Sequence, residues 1–154
     1  HRRQFEKKAD SGATELVLNT QALDESWRVT LEVIKKLERE VRADGGRLAL
    51  AVIPTITQVY DRYWELLRQQ HPDADTRGWD RFRPQEILHD FARRQGILYI
   101  PLSQAMARAA KENGKTFYLD GDYHFNERGH QFVAETLFPV LESLADKLKP
   151  APRD

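Results

Sequence analysis

The chain has 154 residues, a mass of 17.9 kDa, 24 basic against 24 acidic residues and no cysteine. That length fits one domain, and 40% hydrophobic residues with 10% aromatics can build a core. Zero net charge removes the electrostatic drive for sequence-independent nucleic-acid binding, and the lack of cysteine excludes a disulfide framework, a thiolate zinc site and a cysteine nucleophile.

Residues 1–20 are charged and small, with Ser11-Gly12-Ala13-Thr14 in the middle, and read as an irregular lead-in. They contain no apolar segment of signal-peptide type. A start on His rather than Met leads to the expectation that the natural N-terminus lies elsewhere. From Leu23 the pattern becomes periodic. Leu23, Trp27, Leu31, Ile34, Leu37 and Val41 recur every three or four residues, the signature of one helix face, and Asp44-Gly45-Gly46 supplies the stop.

Leu48-Ala49-Leu50-Ala51-Val52-Ile53, closed by Pro54, is an apolar run without alternation, which predicts a parallel-sheet strand buried on both faces. The longest such run in the chain, it is far below the roughly 20 residues of a membrane helix. A second helix is expected from about Thr57, with Val59, Tyr60, Tyr63, Trp64 and Leu67 on one side, ending at His71-Pro72-Asp73. The polar stretch to Arg83 reads as a solvated lid, with Arg77, Arg81 and Arg83 interleaved with Trp79, Asp80 and Phe82. Pro84 fits the first position of a third helix that Gly96 ends.

Ile97-Leu98-Tyr99-Ile100 predicts a second short strand, parallel to the first and adjacent to it or one strand away. Ser103 suits the N-cap of a helix that Asn113-Gly114 ends. The last helix places Phe132, Val133, Thr136, Leu137, Val140, Leu141, Leu144 and Leu148 inward, with Pro139 expected to kink or restart it. Residues 149–154 are a tail. Alternation of helix and strand argues for an α/β layer structure, yet two strands cannot offer a sheet face to every amphipathic helix. Residues 21–148 therefore read as the C-terminal part of a larger sheet. The alternative is a mostly helical domain with a small two-stranded sheet.

Asp120, Asp122, His124, Asn126 and His130 form the one dense cluster of chemistry-bearing residues, in a loop just before a helix. In open α/β sheets ligands bind on that side, beyond the carboxyl ends of the strands. A carboxylate two residues from a histidine can fix its tautomer and free the other ring nitrogen for a nucleophile. Two aspartates and two histidines also suffice for a divalent metal. An EF-hand fails, because from Asp120 the sixth position is Phe125 and the twelfth Gln131. A structural reading makes Asn126 an N-cap and Asp120-Gly121 a turn, and leaves both histidines unexplained.

Asp122-Tyr-His124-Phe-Asn126-Glu-Arg-Gly129-His130, followed by an apolar helix with Ala134 and Leu137, resembles the last conserved block of SGNH (GDSL-type) hydrolases and acyltransferases. Trp27 in its helix, Ile53-Pro54-Thr55 after the first strand, Pro84, Pro101-Leu102 and the Tyr118–Asp120 run extend the likeness over about residues 24–148. In the more usual block the aspartate stands three residues before the histidine, where this chain has Gly121. The Asp-x-His spacing resembles that of SGNH-like acetyltransferases.

The resemblance implies a three-layer, flavodoxin-like α/β fold with a parallel sheet. It also implies a bacterial ester hydrolase or O-acyltransferase needing no metal or cofactor, in which His124 is the catalytic base and Asp122 its orienting partner, with Asp120 in reserve. Its substrate would be an ester or acylated carbohydrate. The family's Gly-Asp-Ser motif is missing. Ser26 and Ser143 fall in helix patterns, Ser103 at a cap, and Ser11 follows Lys7-Lys8 where a strand should be. The expectation is that the nucleophilic serine and oxyanion hole belong to a missing N-terminal part of the same domain. A non-catalytic α/β binding or scaffold domain and a metal-dependent hydrolase stand as the other readings.

Overall fold

A computed structural model describes residues 21–73, 78–114, 116–120 and 122–148. The expected lead-in with Ser11, the tail, Arg77 and Gly121 lie outside the described residues. The elements run α1 (Gln21–Ala43), β1 (Ala49–Ala51), α2 (Ile56–Val59), α3 (Asp61–Gln70), α4 (Arg83–Gln95), β2 (Leu98–Ile100), α5 (Leu102–Asn113) and α6 (Glu127–Leu148). β1 and β2 are parallel neighbours, with Ala49 opposite Leu98, Leu50 opposite Tyr99 and Ala51 opposite Ile100. The fold is α/β.

The helix stops follow the glycines. Gly45, Gly96 and Gly114 adopt positive φ, where a side chain would be strained. After α1 the Gly46 N–H reaches back to the Val41 carbonyl at 2.8 Å and closes the last turn. Four details differ from expectation. Pro84 is the second helical residue, since α4 begins at Arg83. Pro101 precedes α5, which puts Ser103 inside its first turn, buried. α6 continues through Pro139 without the restart that was one of the two expected outcomes there. The helix around Thr57 is split, because Tyr60 is extended (φ −119°, ψ 120°) between α2 and α3.

On one sheet face, Leu50 and Tyr99 meet Phe91, Ala92 and Ile97 from α4 and its exit, with Leu31 and Ile34 of α1. The other face is covered only in part, with Ile100 buried on it. Ala51 and Ile53 are exposed and Leu98 retains 38% exposure, so β1 is not buried on both sides. Leu37 and Leu141, expected inward, are also exposed. In α1 the 3.6-residue turn carries the buried face from Ile34 to Glu38, whose carboxylate is kept by Arg42 (Nε–Oε1 2.6 Å). Val29, Val33 and Leu37 then form an exposed apolar stripe.

A second core lies toward the C-terminal ends of the strands. There Ile56 and Val59 meet Met106 and Ala110 of α5, Phe117 and Tyr118, with Phe132 and Val133 of α6 packed against them. The described residues 78–83 of the expected lid are pinned rather than free. Trp79 packs on Leu67, Arg81 bonds the Asp61 carboxylate (2.5 Å) and the Thr57 carbonyl (3.3 Å), and Arg83 pairs with Asp24. Beneath it Gln58 and Gln85 exchange two buried amide hydrogen bonds of 2.6 and 2.8 Å. A lid would have to break all of these. No helix among the described residues is long and apolar enough to cross a membrane.

Candidate active site

The loop between α5 and α6 folds back on itself as a narrow hairpin. Tyr118 and Phe125 form an antiparallel bridge, Leu119 N–H donates to the His124 carbonyl (3.0 Å), and Asn126 N–H donates to the Phe117 carbonyl (2.9 Å). One strand of the hairpin is sunk into the second core, where Phe117 and Tyr118 are both buried. The Tyr118 hydroxyl donates to the Pro54 carbonyl at 2.7 Å, and the Phe117 N–H donates to the Tyr60 hydroxyl at 2.8 Å. Burial pushes the Tyr118 phenol far above its ordinary value, which keeps it a proton donor. The loop is thereby fastened to the exit of β1.

At the tip, Asp122 holds His124 twice with one oxygen. Oδ1 lies 2.6 Å from the ring Nδ1 and accepts the His124 backbone N–H at 3.2 Å. A carboxylate reaching an N–H two residues on is ordinary Asx-turn geometry, and here the same turn delivers the imidazole to the carboxylate. The two-residue spacing suffices for that reason. The hydrogen bond from the His124 ring holds the Asp122 carboxyl below its ordinary value. An ionised carboxylate only accepts, so Nδ1 carries the proton and Nε2 of the neutral ring keeps its lone pair. The His124 side chain is 81% exposed.

The remaining candidates separate. Asp120 does not reach His124; it lines a cleft of about 580 Å³ together with Tyr60, Tyr63 and Tyr118. His130 is exposed, its ring edge-on to Phe125 with centroids 5.7 Å apart. Asn126 caps α6 as expected, its Oδ1 accepting the Gly129 N–H at 2.9 Å. Among the described residues no three His, Asp or Glu side chains converge to hold a metal ion. Ser103 is buried in α5, and Ser26 and Ser143 are exposed on α1 and α6. His124 makes its side-chain hydrogen bond to Asp122 and to none of these serines.

Two contributions escape sequence reasoning. Pro54, Tyr60 and Tyr118, distant in the chain, anchor the loop. Gly129 lets it close, because a Cβ there would lie 2.2 Å from the Phe117 carbonyl oxygen and 2.9 Å from the Phe125 Cβ. A glycine in the first turn of a helix, where it costs about 0.5–1 kcal/mol against alanine, is the one signal the sequence offers for that approach.

An α/β domain with a tethered carboxylate–histidine pair on a loop after its last strand has the layout of a hydrolase or acyltransferase. The comparison with family models agrees. The model for the SGNH hydrolase-like domain of acetyltransferase AlgX matches residues 13–152, and the chain belongs to that family. No curated protein and no solved structure matches the chain.

Proposed function

We propose that the chain contributes the acid–base half of a serine acyltransfer site, with the nucleophilic serine and oxyanion donors supplied by the N-terminal part of the same domain. His124 takes the serine proton on Nε2 as the acyl group is attacked, then returns it to the leaving group. Asp122 fixes the tautomer and stabilises the imidazolium between those steps. The 2.6 Å bond between His124 Nδ1 and Asp122 is the observation that carries this reading.

Among the described residues the parallel sheet has two strands, each with an outer edge at which further strands can pair, and that supports a site completed by the rest of a larger sheet. So does the exposure of His124, because a pair surrounded by water has little electrostatic leverage until it is covered. The substrate is an acylated carbohydrate. The cleft beside the loop, walled by Tyr60, Tyr63 and Tyr118 and rimmed by Asp120, offers aromatic and polar surface suited to a sugar ring.

The test is acyl transfer by the full-length protein, with p-nitrophenyl acetate as donor. His124→Ala should lower kcat/KM by about 10³-fold or more and Asp122→Asn by about 10²–10⁴-fold. His130→Ala should cost less than about threefold. An active His124→Ala enzyme would favour a binding domain, and equal losses at His124 and His130 would favour shared metal ligation.

A further inference from the structure

We propose that Asn126 is a positioning residue for His124, its side-chain amide clamping the neck of the hairpin and so fixing the backbone from which the imidazole meets Asp122. The proposal rests on reading Asp122 and His124 as the acid–base pair. It goes beyond a helix cap because only one of the side chain's three hydrogen bonds is a cap.

Every polar group of Asn126 is engaged. Oδ1 accepts from Gly129 N–H (2.9 Å), the backbone carbonyl accepts from His130 N–H (3.1 Å), and the backbone N–H donates to the Phe117 carbonyl (2.9 Å). The two Nδ2 hydrogens go across the hairpin, to the carbonyls of Thr116 (3.0 Å) and Tyr118 (3.1 Å). Helix start and facing strand are joined through one planar group.

The leverage on His124 is a single peptide long. The Tyr118 carbonyl held by Asn126 and the Leu119 N–H belong to the same rigid peptide unit, and that N–H holds the His124 carbonyl at 3.0 Å. With its side chain 81% exposed, His124 has little packing to orient its ring. Its direction is set by the backbone and by the bond to Asp122.

The chemistry selects asparagine. Aspartate keeps the cap acceptor but turns a carboxylate oxygen toward two carbonyls 3.0 and 3.1 Å from the Nδ2 position. Serine keeps a cap acceptor and lacks two donors that reach across. Glutamine carries the same amide one methylene too far.

The readout is the tautomer of His124 in the ¹⁵N-histidine-labelled chain, followed by two-bond ¹H–¹⁵N correlation and assigned with His124→Ala. The wild type should hold the proton on Nδ1. Folded Asn126→Ser and Asn126→Asp should shift a large fraction to Nε2–H, as Asp122→Asn should by removing the partner itself. In the full-length enzyme, Asn126→Ser should lower kcat about 10–100-fold with KM within about threefold, the pattern of a misplaced base.

A structural cap alone would lower the melting temperature and leave the tautomer on Nδ1, and that result would overturn the clamp. Should the variants fail to fold, hydrogen exchange in the wild type decides. The Leu119 amide should be protected to within about tenfold of the Gly129 amide, and unprotected exchange would overturn the proposal. The tautomer and hydrogen-exchange readouts do not depend on turnover, so an active His124→Ala enzyme would remove the acid–base reading without touching the clamp.

Discussion

Gly129→Ala sets two effects of opposite sign against each other. In an ordinary helix the substitution stabilises by about 0.5–1 kcal/mol, because glycine loses more backbone entropy on folding. Here the new Cβ would sit 2.2 Å from the Phe117 carbonyl oxygen, 2.9 Å from the Phe125 Cβ and 3.0 Å from its Cδ1. The first obstacle is backbone, held by Asn126 N–H and belonging to a fully buried residue, so it cannot swing aside. Relief requires the start of α6 to move away by about 1 Å, which costs on the order of 1–3 kcal/mol of overpacking strain. That movement also stretches the bond from Gly129 N–H to Asn126 Oδ1, worth about 1 kcal/mol as a cap. Subtracting the entropic gain leaves a net loss of about 1–3.5 kcal/mol. For a chain of this size the melting temperature should fall by about 2–14 °C. Urea unfolding followed by far-ultraviolet circular dichroism measures the loss, and the slope with denaturant should be unchanged. If Gly129→Ala is as stable as the wild type or more so, the close approach of α6 to Phe117 is wrong.

Further outcomes follow from the anchors around the loop. Tyr118→Phe should cost about 1–3 kcal/mol in the same unfolding assay, since it orphans the Pro54 carbonyl beneath a buried ring. Gln58→Leu should cost at least about 2 kcal/mol, because Gln85, the Thr55 N–H and the Arg81 carbonyl all lose a partner. The Gln58→Leu/Gln85→Leu double variant should be less destabilised than the sum of the singles, which a double-mutant cycle reads directly. The Asp122 carboxyl is held below its ordinary value, so the contribution of the Asp122–His124 pair is complete above about pH 4 and is lost as pH falls through the lower folded value. The side-chain ¹³C shift of Asp122 should follow that acid titration. A midpoint above the ordinary carboxylate value would contradict the hydrogen bond.

The sequence alone determined what depends on neighbours along the chain. The periodicity of residues 23–41, the apolar run at 48–53 and the glycines at 45, 96 and 114 are local signals, and α1, β1 and the helix ends follow from them. The Asp122–His124 pairing was legible for the same reason, since an Asx turn brings a side chain to its second neighbour without help from the rest of the fold. Tertiary structure decided whatever depends on segments far apart in sequence. Leu37 faces out although its spacing suits the inner face, because Glu38 takes that place with Arg42 beside it. Tyr60 breaks a helix that its neighbours favour, and its hydroxyl accepts from the Phe117 amide 57 residues away. Pro54, Gln58 and Gln85 gave no warning of their roles. A buried polar group must find its partner wherever the fold brings one, and no periodicity along the chain encodes that meeting.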